Sequence, residues 1–146
     1  MLKKKVRKSH QRILAGNPIW RAFAQKPISR QLHTDITLTS LCAFDELVAG
    51  SGTRVHASRL YACCNMGLVL SEWGYGAECI EDILAAQASI CSCQERALNG
   101  FGYSLNPAES GTIREFLGIH QQQTELATEA EIARAFAIVE DQMIFR

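Results

Sequence analysis

The chain has 146 residues, of which 47% are hydrophobic, and its fifteen Lys and Arg balance fifteen Asp and Glu. That length and apolar content suit one packed domain and argue against disorder over most of the chain. No run reaches the roughly 18 apolar residues that a membrane-spanning helix needs, which excludes a helical membrane span.

The zero net charge conceals a division. Residues 1–34 hold Lys3, Lys4, Lys5, Arg7, Lys8, Arg12, Arg21, Lys26 and Arg30 with no acid. The rest of the chain carries six arginines against all fifteen acids, a net of −9. The sequence therefore predicts a basic N-terminal arm, 1–34, and an acidic helical domain, 35–146. Within the arm, Pro18 and Pro27 each suit the first turn of a short helix, over about 18–25 and 27–33. Ile19, Trp20, Phe23 and Ile28 are available to dock on the body.

Two readings of the arm stand side by side. Five bases between Lys3 and Lys8, followed by Trp20, suit phosphate contacts and base stacking. A solvated tail that touches the acidic body of the same or another subunit is the other reading, and it leaves a homodimer open. The start of the chain lacks an apolar export segment after its lysines and has only Ser9 and Ser29 as arm serines, so a cytoplasmic protein without membrane contact is expected.

In the body, Leu38, Leu41, Cys42, Phe44, Leu47 and Val48 follow a helical period from Thr37 that Gly50-Ser51-Gly52 ends. Thr53 is placed to cap the next helix, about 54–72, whose dense apolar content marks it as the central one. Trp73-Gly74-Tyr75-Gly76 closes it. A third helix is expected over about 77–98 on the stripe Ile80, Ile83, Leu84, Ile90, Cys91 and Leu98. Gln87 interrupts that stripe, which means either a wetter middle or a bond across to a neighbour. Asn106-Pro107 opens a fourth helix with Ile113, Phe116, Leu117 and His120 at helical spacing. Thr128-Glu129-Ala130-Glu131 reads as a capping box that opens a fifth, running to about Met143. No segment alternates with period two. The predicted fold is all-α, an antiparallel bundle of about five helices with the basic arm crossing one side.

Little of the sequence points to catalysis. Cys42, Cys63, Cys64, Cys79, Cys91 and Cys93 lie in apolar helical patterns without C-x-x-C, which predicts reduced, buried thiols and no zinc. His10, His33, His56 and His120 are scattered, and a Cys–His pair rests on residue availability alone. Glu78, Glu81 and Asp82 have the i, i+3, i+4 spacing of a cation site, but carboxylates in a first turn also offset the helix dipole. No cofactor is expected. Gly50-Ser51-Gly52-Thr53 lacks the lysine and the preceding strand of a phosphate loop. Gly118-Ile119 resembles the turn of a helix-turn-helix, yet the acids that surround it oppose DNA.

The runs Leu70-Ser71-Glu72-Trp73-Gly74-Tyr75-Gly76-Ala77-Glu78, Ala85-Ala86-Gln87-Ala88 and Leu117-Gly118-Ile119-His120-Gln121-Gln122-Gln123, followed by Leu126-Ala127-Thr128, resemble a family of small helical proteins carried on proteobacterial prophages and integrative elements. The resemblance covers about residues 36–140 and leaves out the arm. It implies no activity for any residue. What it implies is context: an accessory or regulatory protein that binds a host or phage protein complex, such as one that blocks a host defence or transcription complex. Binding of nucleic acid through the arm is the alternative. On these grounds the candidate contact residues are the nine bases of the arm together with Glu78, Glu81 and Asp82.

Overall fold

The computed structural model describes residues 26–144, with side chains described through Gln142. Among these residues there are five helices: α1 (Arg30–Ala49), α2 (Arg54–Glu72), α3 (Ile80–Leu98), α4 (Pro107–Leu126) and α5 (Glu129–Ile144). A single 3-10 turn, Ala77–Cys79, leads into α3. No strand occurs among the described residues; Pro27 with Thr128 and Gly52 with Tyr103 form isolated bridges. The fold is all-α. The helical piece expected at 18–25 and the docking of Ile19, Trp20 and Phe23 lie outside the described residues.

α1 begins earlier than its apolar period suggests. Ser29 is the N-cap, its hydroxyl accepting from the Leu32 N–H at 3.1 Å. The piece expected at 27–33 and the helix expected from Thr37 are thus one helix. Its first turns are carried by Arg30, Gln31, Thr34 and Asp35, all exposed, so they add no apolar stripe to read. Gly50 ends α1 in the left-handed region at φ 80°, which glycine adopts without strain. Gly52 is fixed by space instead, since a Cβ there would lie 2.8 Å from the Tyr103 carbonyl oxygen.

α2 is central. It packs against α1, α3, α4 and α5, and Leu60, Cys64 and Leu70 are fully buried along it. One core cluster joins its first half to the other early helices through Phe44, Leu47, Leu60, Ile83, Ile90 and Phe116. A second joins its last turns to α5 through Met66, Leu70, Tyr75, Ile132 and Val139, with Ile28 packed against the edge. Gln87, the polar break in the α3 stripe, donates to Asn65 Oδ1 of α2 at 2.7 Å. The bond across to a neighbour forms, and Gln87 itself stays half-buried.

Both expected cap sites of the later helices form. Asn106 Oδ1 accepts from the Glu109 N–H at 2.8 Å, and the Glu109 carboxylate accepts from the Asn106 N–H at 2.9 Å. At α5, Thr128 Oγ1 accepts from the Glu131 N–H at 3.3 Å, while Glu131 Oε1 accepts from the Thr128 N–H at 3.1 Å.

Candidate functional site

Glu78 stands in the 3-10 turn, and Glu81 and Asp82 in the first turn of α3; all three are exposed. Among the described residues none forms an ion pair with them. They do act on a neighbour: burial first, and then the charges of Glu78 and Asp82, raise the Cys79 thiol above its ordinary range. Among the described residues no group of three or more His, Cys, Asp or Glu is placed to hold a metal ion. The three carboxylates are left as a solvated acidic corner at a helix N-terminus, where the dipole favours them.

Of the basic residues, Lys26 and Arg30 are described. Lys26 Nζ lies 3.4 Å from Glu129 Oε2, and its carbonyl accepts from the Glu129 N–H at 3.1 Å, which ties the start of the described chain to the start of α5. Arg30 is exposed at the first position of α1. Lys3, Lys4, Lys5, Arg7, Lys8, Arg12 and Arg21 lie outside the described residues.

A groove runs along α2. Arg54, Ser58, Tyr61, Asn65, Leu68 and Glu72 recur every three or four residues, so they share one face of that helix. Gln87, Cys91 and Gln94 of α3 line one side, and Ile138 and Gln142 of α5 the other. Two adjoining cavities of about 650 and 380 Å³ both touch Tyr61, Asn65 and Gln142. Trp73 closes one end, with the Arg134 guanidinium 5.5 Å from its ring. Glu72 lines that end as well.

The cysteines differ in exposure. All six cysteines are free, but only Cys64 and Cys93 are buried; Cys63, Cys79 and Cys91 are partly covered and Cys42 is exposed. The expectation of six buried thiols fails at Cys42 because that position shares the outer face of α1 with Leu38 and Leu41, which are also exposed. Burial pushes the Cys63 thiol up to about 11 and the Cys64 thiol still higher. His56 accepts from the Thr53 N–H through Nδ1 at 3.0 Å, so it caps α2. Gly118 and Ile119 lie inside α4, which leaves no helix-turn-helix turn there.

Two buried polar clusters escape a reading based on helical period. Arg96 reaches Glu109 through both guanidinium arms, at 2.8 and 2.5 Å, and also donates to the Ser104 carbonyl at 2.9 Å. Tyr75 donates its hydroxyl to Glu131 Oε1 at 2.5 Å, the same oxygen that receives Thr128. Gln123, 1% exposed, donates to the Gly67 carbonyl, Ser71 Oγ and the Tyr75 carbonyl. The Asn-x-x-Glu spacing at 106–109 was a visible signal for Glu109. Nothing local signals Gln123 in a polar run that reads as a solvated face.

Compared with family models, curated proteins and solved structures, the chain finds no match.

Proposed function

We propose that this chain is a non-enzymatic, protein-binding accessory factor of a phage or mobile element, acting in the cytoplasm to block a host defence or transcription complex. The observation that carries the reading is the acidic corner Glu78, Glu81 and Asp82, exposed and without an ion pair among the described residues. Exposed carboxylates at fixed positions are complementary to the Lys and Arg that a nucleic-acid-binding protein uses for phosphates. An amphipathic helix is the occupant we propose for the groove, where Leu68, Val69, Trp73 and Ile138 offer apolar contact.

The test is affinity capture from a bacterial host with and without nuclease, followed by capture with the Glu78→Gln, Glu81→Gln, Asp82→Asn variant. A protein partner that survives nuclease and is lost with the triple variant supports the reading. Recovery of nucleic acid alone, unaffected by the triple variant, overturns it in favour of binding through the arm.

A further inference from the structure

Between α1 and α4 runs a second groove, which the protein-binding reading does not use and which holds a cavity of about 310 Å³. Ser40, Phe44, Leu117 and Thr124 form its buried floor. Leu41, Asp45, Arg114, Gly118 and Gln121 stand exposed at its mouth, so it opens to solvent. A Cβ on Gly118 would meet nothing within 4 Å, and Leu41 is 40% exposed, which leaves room for an apolar side chain to enter beside them.

The charges around the mouth are unbalanced. Asp45 lines it, exposed Glu115 stands one turn before Gly118, and exposed Glu125 one turn after Gln121. Among the described residues Asp45 and Glu115 form no ion pair, and Glu125 meets the His33 ring at 3.9 Å. Against these acids the lining holds one Lys or Arg, Arg114, which stands over the Phe44 ring at 5.6 Å from its centre. The groove along α2 has no such excess, since Arg54 lines it and Arg134 stands over Trp73 against a single lining acid, Glu72. The α1–α4 groove therefore suits a cationic occupant with an aromatic anchor, whose ring can join the guanidinium of Arg114.

The basic arm starts beside this groove. Lys26 and Pro27 are held against Glu129 and Thr128, just past the end of α4. Thr124 and Gln121, at the near end of the groove, precede Thr128 by four and seven residues, about 6–10 Å at the rise of a helix. His33 ties the start of α1 to that end, with Nε2 3.4 Å from the Gln121 carbonyl oxygen. Trp20 lies six residues before Lys26, a reach of about 20 Å when extended. Ile19 and Phe23 accompany it, and Arg12, Arg21 and Lys26 flank them without an acid. So short a tether sets a local concentration of about millimolar, which fills even a weak site.

We infer that the α1–α4 groove is the docking site of the chain's own basic arm, with Trp20 seated in the cavity and the arm's bases set against the acids at its mouth. The body's carboxylates then stand in for phosphates, and nucleic acid gains the arm only by displacing it. In the full-length Trp73→Phe protein, Trp20 is the sole tryptophan. Its emission should lie to the blue of the urea-unfolded chain and its quenching by acrylamide should be several-fold weaker, at every protein concentration. Gly118→Leu fills the mouth from an open helical position, and it should return emission and quenching to the unfolded values while the helical spectrum stays. Asp45→Asn, Glu115→Gln and Glu125→Gln together should move Trp20 part of that way. The Glu78→Gln, Glu81→Gln, Asp82→Asn variant should not, which keeps this test apart from that of the partner reading. A second measurement leaves Trp73 in place: Trp20→Ala in the ¹⁵N-labelled chain should shift the backbone amides of residues 40–45 and 114–121. The inference fails if Trp20 is as open to acrylamide as in the unfolded chain, or if Gly118→Leu leaves it shielded. It also fails if shielding grows with protein concentration, which would seat the arm on a second copy, or if Trp20→Ala shifts the amides of the α2 groove instead.

Discussion

At Cys42 the thiol faces solvent on α1, whereas Cys64 and Cys93 are enclosed between helices. Thiolate is the reacting form, so exposure and burial together set the order of reaction. Titration of the native protein with an aromatic disulfide reagent should show one fast thiol, removed by Cys42→Ser, and Cys64 and Cys93 should react only on unfolding. A fast thiol that remains in the Cys42→Ser variant would contradict this burial pattern. His120 makes a second residue-level prediction. Burial, set against the hydrogen bond to Gln123 and aided by the charge of His33, holds its imidazole below the ordinary 6.5. The unfolded chain then takes up a proton that the folded chain refuses, so stability falls as pH drops below about 6.5 toward the lowered folded value. His120→Gln keeps a side-chain donor for Gln123 and cannot titrate. The loss in melting temperature between about pH 7.5 and about pH 5.5 should shrink in that variant, and an unchanged loss would remove His120 as its source. Thr128 tests the cap on α5, where Thr128→Ala should cost about 0.5–2 kcal/mol in a denaturant melt, because the Glu131 N–H loses its acceptor.

How the helices meet explains which parts of the fold could be read in advance. Caps, glycine stops and apolar period are local, so α2 was legible at both ends, and the starts of α4 and α5 at Asn106 and Thr128 were legible from their cap residues. For α1 the piece at 27–33 and the helix from Thr37 were legible separately, but their continuity was not, because the exposed Thr34 and Asp35 between them carry no apolar period. The third helix was legible as a span but not in its entry, which is a 3-10 turn over Ala77–Cys79. Of the candidate site, the acidic corner was legible because its three carboxylates are close in sequence. The α1–α4 groove was not, since its two walls come from stretches about eighty residues apart. Gly67 marks a close approach of α2 to α4. A Cβ there would lie 3.0 Å from Phe116 Cε2 and 3.3 Å from Gln123 Oε1. Alanine in place of a helical glycine gains about 1 kcal/mol of intrinsic propensity. Overpacking a filled core costs about 1–3 kcal/mol. Phe116 is fully buried and Gln123 is held by three hydrogen bonds, so neither gives way easily. Gly67→Ala should therefore lower stability on balance, and a higher melting temperature would show that α4 can move aside.

Across the whole molecule, the nine bases of residues 1–34 and the acids that follow make opposite predictions about salt. If Lys3, Lys4, Lys5, Arg7 and Lys8 bind phosphates, replacing them with glutamine should weaken nucleic-acid binding and flatten its dependence on salt, because fewer counterions are released. If the acidic body binds a basic protein surface, that replacement should leave partner binding nearly unchanged. Neutralising Glu78, Glu81 and Asp82 should then weaken it and reduce its salt sensitivity instead. The helix beneath those carboxylates must be watched, because removing them also takes favourable charge from its N-terminus, worth about 0.3–1 kcal/mol each. Circular dichroism and a thermal melt of the triple variant separate loss of contact from loss of helix. The decisive comparison measures wild type, arm-neutral and body-neutral proteins against duplex DNA, single-stranded RNA and the captured protein partner across a salt series. Steep, tight nucleic-acid binding abolished in the arm-neutral variant alone would reject the protein-blocking reading. Loss of the protein partner in the body-neutral variant, with its helices intact and the arm-neutral variant still bound, would place the contact on the acidic body.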